Sequence, residues 1–365
     1  MTPKQRIWNA LRGKPVDRIL YCPFLANWWE KHQQSVHYMD RFDLMESTGA
    51  DPLIRGGIRP FFYQHQQVQR IVLHDTPIRK CYRYHTPIGD LQYTFTFSPG
   101  PNTWFLTERP VKELRDLEIV RYIFDDLSVI PDPELFEIRA GVIGQRGLLV
   151  PETGVIRPQS SFQSLLDFWV GTVELSYMLG DAPGKVESTL EIMHERNWEA
   201  IIATSQTSAE AVITFEETSS TSITPQIYQE YIQPELKAWA NLLHQKGKLL
   251  IHHAGGPIED LLPKIAHSGI DVLESVSFRP YSGISMPQMR HALPSSITLM
   301  GGLDAATVGR MSETELEQYT KQLLMEMPKA GFILSSEVTG PPEAACSKQK
   351  LLAKVAARTG GKGTP

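Results

Sequence analysis

Two adjacent histidines, His252 and His253, close an apolar run and are followed at once by Ala254, Gly255 and Gly256. The stretch from Lys248 to Gly256 reads as a buried strand that runs into polar chemistry and breaks at glycine. A barrel strand delivers a side chain to its active-site rim in this way. Alternation puts His252 and Ala254 on one face and His253 on the other. Only one imidazole can therefore point into a barrel mouth, and we assign His252 to that role. An imidazole there could move protons or bind a metal near neutral pH, although a strand-end histidine is as often simply hydrogen-bonded. Other strand ends carry carboxylates: Glu152, Glu216 or its neighbour Glu217, Glu274, Asp304 and Glu337. Carboxylates gathered at one rim are costly unless they bind a cation, share protons or face water. The set points to a reaction centre more strongly than any one member does.

Eight strands are needed to bring these groups together. β-branched and aliphatic runs bounded by turn residues occur at 18–24, 51–57, 147–153, 211–215, 248–252, 271–276, 296–300 and 331–335. Helical patterns stand between them, at 3–12, 40–48, 161–179, 182–197, 226–246, 258–268, 287–292, 312–327 and 345–357. Residues 68–98 break the alternation with three short runs rich in β-branched and aromatic residues, read as an antiparallel β insertion. A helix at 111–123 follows it. The expected fold is an α/β, (β/α)8 TIM barrel with a β insertion between strands two and three. We take the chain as a single barrel domain over 1–365, with the 68–98 hairpin insertion and a loose tail at 359–365. A doubly wound sheet is disfavoured because no Gly-x-Gly-x-x-Gly turn follows an early strand.

Composition narrows the class. The 365 residues carry a net charge of −5 with both signs mixed and no basic block, so nucleic-acid binding is not expected. Cys22, Cys81 and Cys346 are far apart and lack metal or disulfide spacing, which suits a reducing cytoplasm. No apolar run is long enough to span a bilayer, and residues 1–12 read as an amphipathic helix without the apolar core of a signal peptide.

The order and spacing of several stretches resemble the uroporphyrinogen decarboxylase superfamily, and within it the corrinoid-linked methyltransferase branch. The resemblance rests on residues 1–18, the loop from Glu216 to Tyr228, His252 to Gly255, Gly301 to Asp304, and 331–335 leading to Pro341 and Pro342. It implies methyl transfer between a small substrate and a corrinoid protein or folate-type carrier. It also implies zinc held by a His-x-Cys pair and a later cysteine. Both cysteine positions depart from that pattern: Ala254 stands at the first, and 335–339 offers no thiol. A divalent metal would then rest on His252, Glu216 and Glu337, donors that suit zinc or a harder ion. On this reading His252 and Glu216 bind the metal or move protons, while Asp304 and Glu337 polarise or orient the substrate. Asn27, Trp28, Trp29, Glu152, Glu274 and Tyr281 would contact the substrate, the aromatics walling an apolar methyl donor. The partners expected are a small-molecule methyl donor or acceptor and a corrinoid protein, with a homodimer left open.

Two alternatives stand beside this reading. One is a metal-independent decarboxylase or lyase on the same barrel; the other is a non-catalytic binding subunit. Tetrapyrrole decarboxylation fits poorly, because 25–30 lacks the arginines that would pair with its carboxylates.

Overall fold

The structure is a computed structural model. It describes residues 1–99, 103–278, 282–328 and 330–360, the side chains of residues 26, 27 and 360 excepted. Two compact units are present. One comprises 1–60, 133–152 and 204–365, the other 61–132 and 153–203.

The first unit holds the barrel. Strands Ala211–Thr214, Leu249–His253, Val272–Val276, Thr298–Leu303 and Phe332–Ser336 pair in parallel in that order. Leu53–Arg55 pairs in parallel with Leu148–Val150. Single hydrogen bonds complete the circle. The Ile213 N–H donates to Pro151 O at 3.0 Å, joining the third strand to the fourth. Cys22 and Phe24 donate to Leu334 O and Ser336 O at 2.9 and 2.8 Å, joining the first segment to the eighth. Asp51 donates to Tyr21 O at 2.8 Å, joining the second to the first. The strands are apolar because both faces are covered. Leu20, Cys22, Leu53, Val150, Ile213, Ile251, Val272, Met300 and Ile333 form one buried cluster. Helix Pro3–Leu11, with its Thr2–Gln5 capping box, adds Ile7, Ala10 and Leu11 to that cluster. Their i, i+3, i+4 spacing puts all three on one face of the helix.

The second unit contains the four-stranded antiparallel sheet Gln69–Asp75, Arg79–Thr86, Gly89–Ser98 and Thr103–Glu108. The insertion thus carries one strand more than the three runs legible at 68–98. Phe61–His65 pairs antiparallel with Leu127–Pro131, a segment whose flanking Asp and Pro residues read as loop. The expected helix at 161–179 is three pieces, Ser161–Ser164, a π-helical Leu165–Val170 and Thr172–Asp181, broken at Gly171 with φ 103°. The following helix runs further than expected, over Pro183–Ser205. From residue 361 onward the expected tail lies outside the described residues. Among the described residues no helix is long and apolar enough to cross a membrane.

Candidate active site

The phase of the fifth strand decides which histidine faces the barrel interior. Ile251 belongs to the buried inner cluster, so His253, two residues on, shares its face. His253 lines a cavity of about 610 Å³ at the C-terminal ends of the strands. His252 does not, which corrects the sequence assignment. It is fully buried, with Nε2 3.1 Å from Thr218 Oγ1 and its ring edge-on to Tyr228. Among the described residues its Nδ1 has no hydrogen-bond partner. Burial, with the neighbouring His253 charge, pushes its pKa down to about 3, so it stays neutral. Glu216 behaves likewise. It is fully buried and takes a hydrogen bond from Thr214 Oγ1; burial of Tyr228, with a smaller push from Glu216, raises the pKa of that phenol. The next residue, Glu217, is the one that lines the cavity.

The interior polar group is built from His253, Glu274 and Arg55. His253 lies opposite Glu274 across the paired strands, and His253 Nδ1 is hydrogen-bonded to the Glu274 carboxylate. Arg55 Nη1 meets the other oxygen of Glu274 at 3.2 Å. The guanidinium is held by Cys22 O at 3.1 Å and lies 5.4 Å over the Phe24 ring. Phe24 and Phe215 flank the imidazole at 6.1 and 5.3 Å. His253 Nε2 is left 3.5 Å from Glu217 Oε1, whose side chain is 52% exposed.

Burial alone would lower the pKa of His253, but the Glu274 charge and hydrogen bond outweigh it, so the value is raised. Burial would raise the pKa of Glu274, yet His253 and Arg55 hold it below the ordinary carboxylate range. Both shifts favour the charged form of the pair, and the Arg55 guanidinium sits against the same buried carboxylate.

Backbone strain gathers here. Glu217 and Ser275 have φ of 48° and 68°, in the left-handed region that non-glycine residues avoid. The register of the sixth strand shifts between Glu274 and Val276, a bulge that re-aims side chains at the mouth. Gly255 is required by the Glu217 loop: a Cβ there would sit 2.1 Å from Glu217 Oε2 and 3.0 Å from its Cα.

Of the remaining sequence candidates, Asp304 and Glu337 share the cavity with His253 and the other described ones do not. Asp304 lines the cavity but caps helix Ala305–Arg310, accepting from Thr307 N at 3.0 Å. Glu337 is exposed and lines the same cavity. Glu152 lines a different cavity and is engaged by Arg59 at 2.9 Å and the Gly57 N–H at 3.0 Å. Trp28 is buried and donates to Gly340 O, while Trp29 lines the cavity that holds Glu152. Tyr281 and the side chain of Asn27 lie outside the described residues.

The expected metal set is not assembled. His252 and Glu216 do not line the cavity that Glu337 lines, and among the described residues no group of three or more His, Cys, Asp or Glu is placed to hold a metal. The donor chemistry agrees, since Ala254, Ser335 and Ser336 offer no thiolate. These residues do not fit a thiolate-rich zinc centre.

Sequence reasoning missed His253, Arg55, Phe24 and Phe215. Leu250 and Ile251 are both apolar, so the run does not reveal which face turns inward. Arg55 ends the second strand just before two glycines, the same pattern that His252 and His253 show before Gly255 and Gly256.

Three comparisons bear on this geometry. The family model described as "Uroporphyrinogen decarboxylase (URO-D)" matches residues 168–359, more than half of the chain. No curated protein matches the chain. Among solved structures, a methyltransferase from Methanosarcina mazei is similar at TM-score 0.63 and 12% identity, over 98% of this chain and 99% of that one. A broad-specificity GH5-4 endoglucanase from an uncultured bacterium is similar at TM-score 0.37 and 9% identity, over 68% of this chain and 85% of that one.

Proposed function

Because this chain belongs to the uroporphyrinogen decarboxylase family, we propose that it is an enzyme that moves a methyl group between a small substrate and a carrier. The carrier is a corrinoid delivered by a partner protein, or a folate-type molecule. The observation that carries the reading is the enclosed imidazole of His253, fixed by Glu274 through Nδ1, with Nε2 at the cavity 3.5 Å from Glu217 Oε1. The fold shared with the Methanosarcina mazei methyltransferase over nearly the whole of both chains supports it.

The chemistry asked of the protein is modest. When bound, the carrier would supply the electron pair that takes up the methyl carbon. The bond from that carbon to the substrate heteroatom breaks, and its electron pair stays on the heteroatom. His253 Nε2 donates the proton that neutralises this leaving atom; in the opposite direction it accepts the proton of the attacking group. Glu274 holds the ring in one tautomer and orientation and stabilises its charged form. Glu217, half exposed beside Nε2, links the ring to solvent for reprotonation. Phe24 and Phe215 exclude water from the imidazole and strengthen its field. General acid catalysis of this kind contributes about 10²–10⁴ in rate.

The test is direct. Purified protein is mixed with methylcobalamin and a panel of thiol, amine and phenol acceptors, and with reduced cobalamin and the methylated forms of that panel. A His253-dependent change in cobalamin absorbance supports the reading. Failure of every pair to exchange a methyl group contradicts it.

One observation favours a second reading. His253 and Arg55 both converge on Glu274, and an imidazole and a guanidinium so placed suit a carboxylate substrate that loses carbon dioxide without a metal. Carbon dioxide release without any methyl carrier would select that reading.

A further inference from the structure

Phe24 and Phe215, with ring centroids 5.9 Å apart, line two cavities: the one holding His253 and a second of about 590 Å³. Beyond these two rings and Arg55, the residues of the second cavity play no part in the chemistry above, yet it is furnished for a ligand. Arg41, half-buried, and Arg139 both line it. Arg55, which also lines it, has a carboxylate partner, as do Arg18 and Arg59 in the same unit. Among the described residues Arg41 and Arg139 have none within ion-pairing distance, and Arg41 makes only a 3.4 Å hydrogen bond to Gly56 O.

The carboxylates lining the same cavity do not fill the gap. Asp40 caps helix Arg41–Thr48, accepting from Phe42 N and Asp43 N at 2.8 and 3.0 Å. Glu152 is held by Arg59 and the Gly57 N–H. That leaves exposed Glu30 facing two guanidiniums. Burial and the Arg139 charge both press on Arg41, whose pKa is lowered despite the opposing pull of Glu30, Asp40 and Glu152. A partly desolvated, unpaired guanidinium is a costly arrangement that a bound anion relieves. Apart from Arg55, the rest of the wall is mainly apolar, with Trp29, Ile54, Ile58 and Leu149. A cavity of this size with an apolar wall and a few convergent charges suits a small ligand.

We infer that this second cavity binds an amphipathic oxyanion. Arg41 and Arg139 hold its carboxylate, sulfonate or phosphate head, and Trp29 with the aliphatic wall receives its apolar body. The inference stands apart from the methyl-transfer reading.

Calorimetric titration of the full chain tests it with benzoate, benzenesulfonate, phenyl phosphate and neutral benzamide. The expected result is one-to-one binding of at least one anion, with benzamide at least about tenfold weaker. Arg41→Met and Arg139→Met each weaken that anion by about tenfold, the size of one charge-assisted hydrogen bond. Glu217→Gln, in the other cavity, changes the affinity less than about twofold, within the scatter of a mutation that touches no ligand. Thermal melts check folding, and exposed Arg139 supplies a variant with little folding risk. The inference is overturned if no anion binds more tightly than benzamide, if the two Arg variants bind as the wild type does, or if Glu217→Gln weakens binding as much as they do. Calorimetry needs neither carrier nor turnover, so its outcome is independent of whether methyl transfer is found.

Discussion

His253 stands opposite Glu274 in the register of two adjacent parallel strands, and the pair is joined through His253 Nδ1. One nitrogen is thus committed to a buried carboxylate, which leaves Nε2 for the cavity. Arg55 holds the far side of the same carboxylate, so Glu274 is the hinge on which both cations are placed.

This pairing ties stability to pH in two opposite ways. The folded-state pKa of His253 is raised, so its contribution is complete below the unfolded value of about 6.5 and is lost as pH rises through the folded value. The folded-state pKa of Glu274 is lowered, so its contribution is complete above the unfolded value of about 4.5 and is lost as pH falls through the folded value. Both act together between about 4.5 and 6.5. Urea unfolding of the wild type and His253→Gln across pH should show the largest stability gap in that window. A gap that widened as pH rose above the window would contradict the assignment.

Gly255 allows the strained Glu217 to sit at the mouth. A methyl group there must displace Glu217 backbone and side chain, so Gly255→Ala should destabilise the fold by about 1–3 kcal/mol. It should also lower turnover by moving Glu217 away from Nε2. Chemical denaturation and steady-state kinetics check both effects, and a variant that matched the wild type in each would show that the close approach is unimportant.

His252 belongs to the packing rather than the cavity. Truncation empties a fully buried site and strands Thr218, so His252→Ala should cost about 2–4 kcal/mol of stability. Measured melts that shifted by less than a few degrees would argue that the ring is not packed as described.

How much of this the sequence showed depends on what each residue type can encode. The parallel strands were legible because apolar runs between helical patterns admit few other folds. The fourth strand of the insertion, Thr103–Glu108, was not, because the proline and glycine after Ser98 read as the end of β structure. The mouth itself was located, but by one residue out of phase. In a strand covered on both sides, Leu250 and Ile251 look alike, so the inward face of His252 or His253 is set by barrel packing rather than by local pattern. The same slip separates Glu216 from Glu217. The role of Arg55 emerged only when folding brought residue 55 to residue 274.

The donor set also predicts metal behaviour. Without thiolates at 254 or 335–339, dialysis against a strong chelator should leave any methyl-transfer turnover within about twofold of the untreated protein. Loss of activity restored by added zinc would show that other residues bind the ion.

The measurement that bears most directly on the reaction centre is the turnover of His253→Gln and His252→Gln, compared with the wild type in the same methyl-transfer assay with folded protein. Loss of a positioned general acid should slow His253→Gln by about 10²-fold or more, while His252→Gln stays within about tenfold of the wild type. Full activity in His253→Gln, or the larger loss in His252→Gln, would contradict the account.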